Sequence, residues 1–424
     1  MEEKKTYIGQ WLRDTWEIFL GELKLIVHDS GVMLIFCFAG LVYPLLYNWI
    51  YGYGVVDEMP VAVVDLSGGS YSRRYIREVD ATREVAVAGE CSSMEEARRL
   101  LERGQVHGII FIPRDFDEKL NRMEQGTVST YADMSTFLYY KNMTIASNKV
   151  MLDEVHRIQT ERYAAAGYVG QDATQLIEPV QYDEYLKYNP AISFTMFFVY
   201  MALMMILQQV MFYGSSTLAG TLREEGRSFV RLSDKLSGNG MGRIVLGRGF
   251  AYFLIFMVLG VYGALLMPYL FHLPVHCRWW EMLVLLLFYV ADIIFFSFTW
   301  SSAITRRETV LVLLLFVTPI AVFLTGFTWP TANFPVFWRT LSYVFPSTFG
   351  CRAYMNLCNA GTLEAVAPEI RAMTVQTVIY YLLAYVAAFL ESRGREGHQD
   401  VRYRPEAADQ IRLKAPTKWP FQES

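Results

Sequence analysis

The chain has no phosphate-binding loop of the usual kind: none of its ten lysines follows a glycine, so a GK[ST] ending is absent. Histidine is scarce at six residues and cysteine scarcer at five, with no CxxC and no His-rich run, which excludes the common zinc and redox spacings. Cys351 and Cys358 are seven positions apart, about 10 Å along one helix, too far for a disulfide within it. Free thiols are the reading there. An excess of one charge sign is also missing: a net of −4 over 424 residues leaves no footprint for nucleic acid. A cleavable leader is not expected, because the first thirty residues are charged and amphipathic and the apolar run after them exceeds a signal core.

Long apolar runs are what the chain has. They lie at 31–52, 192–213, 246–271, 280–304, 310–329 (interrupted by Pro319) and 373–390. A bilayer core of about 30 Å needs about 20 such residues in a helix. Soluble helices rarely stay apolar on every side, and six runs in a chain that is 53% hydrophobic and 15% aromatic argue against a soluble protein. The expected fold is an α-helical polytopic membrane protein with six transmembrane helices and an α/β extracytoplasmic domain inserted between the first and second.

Lysine and arginine near the span ends set the orientation. With an even number of spans, one side holds Lys4, Lys5, Arg13, Lys24, Arg223, Arg227, Arg231, Lys235, Arg243, Arg306, Arg307 and seven more from Arg393 to Lys418. The short opposite segments hold only Arg278, Arg339, Arg352 and Arg371. Both termini are therefore expected in the cytoplasm of a bacterial inner membrane. Residues 1–30 then form a cytoplasmic interfacial helix, since Ile8, Trp11, Leu12, Thr15, Phe19, Leu23 and Ile26 recur at helical spacing and Trp11 and Trp16 suit a membrane surface. Residues 31–52 are the first span, 53–190 the outer domain, 191–390 the other five spans, and 391–424 a cytoplasmic tail.

In the outer domain, extended and helical patterns alternate from MPVAVVDLS at 59–67 onward, with Ser93 and Glu96 as a capping box and Pro113 opening a helix. Asp65, Asp115, Asp117 and Asp133 sit at strand ends or helix starts. No nucleophile, metal cluster or glycine-rich loop accompanies them, so they read as caps and turns.

Three further constellations stand out. A carboxylate at Asp292, near the middle of a span, costs about 2.5 to 3.5 kcal/mol on insertion scales; it reads either as a pathway residue recognising a cation or as a partner of a hydroxyl, Gln208 or Gln209. The stretch 222–236 reads as a short cytoplasmic coupling helix whose Arg223, Glu224, Glu225, Arg227 and Arg231 offer charge to a partner, or else as a solvated loop. The stretch 330–365, entered through Gly326, sets Pro330, Pro335, Pro346 and Arg352 among aromatics, as an outer re-entrant segment or an aromatic belt.

Three fragments in order carry a family resemblance: VAVVDLSGGSYSRRYI with SSMEEARRLLERGQVHGIIFIPRDFDEKL, then GTLREEGRSFVRL at 220–232, then LTGFTWPTANFPVFWRTLSYVFPSTFGCRAYMNL at 324–357. Together they resemble the membrane (permease) subunits of type 2 ATP-binding-cassette exporters, long-loop drug-efflux group. The second fragment departs from the family pattern, because Gly220 and Thr221 precede the charges instead of following them. The resemblance implies a non-enzymatic chain that binds no cofactor, with ATP and Mg held by a separate cassette ATPase subunit. It also implies pairing with itself or a similar permease, a periplasmic adaptor, contact with membrane lipids, and efflux of a hydrophobic or amphiphilic substrate, multidrug export included. The alternative is a membrane receptor or sensor that binds a ligand through the outer domain.

Overall fold

The computed structural model describes residues 2–396 apart from 53, 169, 179–184, 186, 188, 190–192, 226–239, 327 and 328. The chain divides into two units, one formed by Met1–Trp49 with Val199–Ser424 and the other by Ile50–Phe198.

The first unit is helical. Among the described residues six helices are long and apolar enough to cross a membrane: span 1 (Ser30–Tyr51), span 2 (Thr195–Glu224), span 3 (Met241–Leu270), span 4 (Trp279–Ser301), span 5 (Arg307–Leu324) and span 6 (Leu363–Glu391). The chain is thus a polytopic membrane protein. Span 2 is the most buried of the six helices and span 5 the least. Pro319 sits inside span 5 without ending it, so the expected interruption is no more than a missing N–H. Span 6 begins earlier than the apolar run at 373, with Val366, Glu369 and Met373 buried along its first turns.

Spans 1 and 3 each contain a π-helical stretch, Ile35–Val42 and Tyr262–Leu266. Each ends two residues before a proline, Pro44 or Pro268. Proline gives no N–H to the carbonyl one turn back, and a shift to i−5 bonding accommodates the loss. The two stretches meet: the Tyr262 hydroxyl donates to the Leu41 carbonyl at 2.9 Å, and an apolar cavity bounded by Gly40, Pro44, Leu207, Gly260 and Gly263 lies beside them.

Helix α1 (Glu2–His28) packs along span 3. Ile18, Phe19, Glu22 and Ile26 are buried, while Leu12, Trp16, Leu20 and Val27 stay exposed. One face is therefore covered by protein and another is left apolar and open.

The second unit holds a four-stranded sheet in the order β2–β1–β3–β4, from β1 (Met59–Asp65), β2 (Val85–Glu90), β3 (Gly108–Ile112) and β4 (Ser129–Ala132). β1 runs parallel to β2 and β3, and β4 runs antiparallel to β3. A central parallel strand is buried on both faces, which is why β1 is apolar from Met59 to Val64, up to its closing Asp65. Its odd residues Val61 and Val63 pack with Val79 of α2 (Ser70–Asp80) and Met143 and Val150 of α5 (Phe137–Ala165). Its even residues Ala62 and Val64 pack with Ala97 of α3 (Met94–Glu102). Between α3 and α5, β3 leads into the short α4 (Phe116–Asn121), and α6 (Gln171–Ile177) follows α5.

The acidic residues at strand ends close turns. Asp65 accepts from the Ser67 and Gly68 amides at 2.9 and 3.0 Å, and Asp133 from the Ser135 amide at 2.8 Å. Asp117 of α4 accepts from the Ser67 hydroxyl at 2.8 Å and from the Tyr71 and Ser72 amides at 2.7 and 3.2 Å, capping α2. Lys119, 2.7 Å from Asp115, holds that carboxyl below its ordinary range. Ser93 caps α3 by accepting from the Glu96 amide, while Glu96 reaches back to Ser92 instead of completing the box at Ser93.

Candidate functional site

Span 2 is 30 residues long, about 45 Å at helical rise, so its last turns extend past an apolar layer of about 30 Å. Arg223 and Glu224 belong to those turns and continue the span. The Arg223 guanidinium donates to the Ser301 carbonyl at the end of span 4 at 2.7 Å, to the Ile304 carbonyl in the turn that follows, and to Glu391 of span 6 at 3.2 Å. Glu224 accepts from the Arg307 amide at 3.0 Å, at the start of span 5. Glu225 is exposed. Arg227 and Arg231, with most of the expected helix at 222–236, lie outside the described residues.

At mid-membrane the sequence-predicted group is not joined by hydrogen bonds. Gln208 is buried and its amide oxygen accepts from the Ser347 backbone N–H at 2.6 Å. Asp292 is fully buried, and neither of its oxygens has a donor among the described residues. The Gln209 amide atoms are likewise without partners. The pairing of Asp292 with Gln208 or Gln209 considered from sequence is therefore not made. Nor does Asp292 line the cavity between spans 1, 2 and 3.

The segment between spans 5 and 6 folds as α7 (Val336–Ser342) and α8 (Pro346–Ala360). Each proline has a defined place: Pro335 precedes α7, Pro346 is buried in the first turn of α8, and Pro330 is exposed before a short 3-10 turn. Gly326 adopts φ +87°, where a side chain is strained, and Arg352 donates to the Thr331 hydroxyl at 3.2 Å. Irregular backbone within an apolar layer needs protein partners, and side chains of the spans supply them. Gln376 donates to the Tyr343 and Val344 carbonyls at 2.9 and 3.1 Å, and Gln208 accepts from Ser347. Tyr354 of α8 returns a bond at 3.0 Å to the Ala264 carbonyl, freed in the π stretch of span 3. Val336, Phe337 and Trp338 remain exposed on α7.

Sequence reasoning missed a second set of charges. Asp14 and Glu22 of α1 pair with Arg243 and Arg248 of span 3 at 2.6 and 3.1 Å. Arg248 also lies over the Phe298 ring, 4.7 Å from its centroid. Burial pushes the Glu22 carboxyl above its ordinary value, against the opposing pull of Arg248. The signal was present: Glu22 falls on the same helical stripe as Ile18 and Ile26.

With this geometry in hand, the comparison with known families is decisive on one point. The model of a family described as ABC-2 family transporter protein matches residues 31–386, from the first span into the last. No curated protein matches the chain.

Proposed function

This chain belongs to the ABC-2 family of transporter proteins, and from that premise we propose that it is the permease of an ATP-driven exporter of the long-loop drug-efflux group. The family match over 31–386 carries the reading: such a chain is the transmembrane subunit of an ABC transporter. In this reading ATP and Mg are bound by a separate cassette subunit, for which the missing glycine–lysine pair speaks. The permease pairs with itself or with a similar chain, and the large exposed apolar surface of span 5 supports a covering by a second copy or by lipid. The charge bias puts both termini in the cytoplasm, so residues 53–190 face outward, where an adaptor would bind. The cargo is hydrophobic or amphiphilic and leaves the cytoplasm or inner membrane. The end of span 2 and residues 222–236 couple the ATPase to the spans, while Asp292 belongs to the pathway.

Purification through a tag on this chain is expected to bring down a cassette ATPase, and reconstituted vesicles to hydrolyse ATP in response to substrate. A chain that purifies without any ATPase contradicts the proposal. For Asp292, the isosteric Asp292→Asn is expected to leave the amount of folded protein unchanged and to alter export of cationic relative to neutral amphiphiles. Loss of folded protein with unaltered selectivity would instead make the carboxylate a packing element.

A further inference from the structure

Two adjacent residues of one helix hold both ends of the same turn. Residues 302–306 connect spans 4 and 5. The last carbonyls of a helix lack intrahelical donors and carry partial negative charge, and the first amides of the next lack acceptors. Arg223 adds a charged donor to the Ser301 carbonyl, which also accepts from the Ile304 amide at 3.2 Å, and holds the Ile304 carbonyl of the turn with the same nitrogen. Glu224 supplies an acceptor to the Arg307 amide, where Arg306, in the capping position of span 5, provides no side-chain bond of its own.

The backbone of span 2 is also pressed onto this turn. A Cβ on Gly220 would lie 2.8 Å from the Arg307 nitrogen and 2.9 Å from its Cα. On the far side, Arg307 approaches Asp29 at 3.6 Å, and Asp29 caps the start of span 1 through the Gly31 and Val32 amides. The second Arg223 nitrogen reaches Glu391 of span 6. The Arg223 side chain is 17% exposed with its fork engaged on two other helices, an arrangement suited to internal fixing and unlike a charge offered to a partner.

We propose that Arg223 and Glu224 are positioning residues that clamp the end of span 2 to the 4–5 turn and to span 6. A displacement of that end then reaches three other spans as one rigid movement. The clamp rests on the exporter reading only for its role in transport; its geometry stands without it. It also changes what these two charges do, from contacting the ATPase to relaying its motion within the permease.

The test compares wild type, Arg223→Gln and Arg223→Lys, each purified with its ATPase subunit in lipid nanodiscs. Arg223→Gln is expected to keep the wild-type ratio of ATPase to permease while ATP turnover of the complex falls by about tenfold. Arg223→Lys is expected to lie between, because an ammonium cannot reproduce the planar fork. On the permease alone, amide hydrogen exchange of the turn at 302–306 is expected to quicken by about tenfold in Arg223→Gln, the loss of roughly one set of charge-assisted bonds. Loss of the ATPase subunit with unchanged exchange would make Arg223 a partner contact and overturn the clamp. Wild-type turnover with wild-type exchange would overturn it as well. A wild-type chain that recovers no ATPase removes the subunit reading, and the exchange measurement still decides the clamp.

Discussion

Gly350→Ala is expected to destabilise the membrane unit by about 3 kcal/mol or to prevent its accumulation, the upper range of overpacking. Gly350 lies in α8 against Tyr289 of span 4, and an added Cβ would stand 2.2 Å from one ring carbon and 2.4 Å from the next. Carbon atoms pack best at about 3.5 to 4.0 Å, so the overlap exceeds what a shift of a few tenths of an ångström relieves. The ring has little freedom to move: Tyr289 is fully buried and its hydroxyl donates to the Met204 carbonyl of span 2 at 2.6 Å. Alanine's better helix propensity returns about 1 kcal/mol, too little to reverse the sign. Size-exclusion chromatography after graded heating of detergent-solubilised protein measures the effect. Pairing the change with Tyr289→Leu should recover much of it, since the smaller side chain vacates the space. Wild-type thermal behaviour of Gly350→Ala alone would show that α8 and span 4 are not packed this closely.

The contrast between Gly350 and the apolar runs shows where a single sequence is informative. Span number was readable because length and composition decide it: no arrangement of a run such as 31–52 hides its apolar character. β1 was readable for a related reason, as an unbroken Val-rich run closed by Asp65 and Ser67. Close approach of two helices leaves no such mark, since Gly350 and Tyr289 are 61 positions apart and neither is unusual by itself. Charges are where a single sequence says least about contacts. Arg243 counts toward the positive-inside bias and Arg223 reads as charge offered to a partner, because nothing in a sequence marks which distant side chain a charge will meet. In the fold both are spent on other helices, and their partners Asp14 and Glu391 lie 229 and 168 positions away. Asp292 is the reverse case. Its oddness was plain from sequence, yet the expected amide partners do not bond to it.

Arg248→Met is expected to cost about 3 to 5 kcal/mol, the usual penalty for leaving one member of a buried ion pair alone. Glu22 is the member left behind, with a side chain 2% exposed and 3.1 Å from Arg248 in the native protein. The loss should depend on pH. Burial raises the Glu22 carboxyl above its ordinary 4.5, so the folded state holds the proton more firmly than the unfolded chain. Stability from this group therefore falls as pH rises from 4.5 through the folded value. Removing Arg248 removes the cation that opposes this, so the deficit of Arg248→Met should be largest at neutral pH and shrink toward pH 4.5. The double change Glu22→Leu with Arg248→Met should recover stability at neutral pH, because a packed apolar pair carries no desolvation cost. Thermal unfolding of the three proteins at neutral and mildly acid pH separates these effects. An Arg248→Met deficit that is the same at both, or a double variant no better than the single, would mean that Arg248 holds α1 to span 3 through its contact with Phe298 and not through its charge.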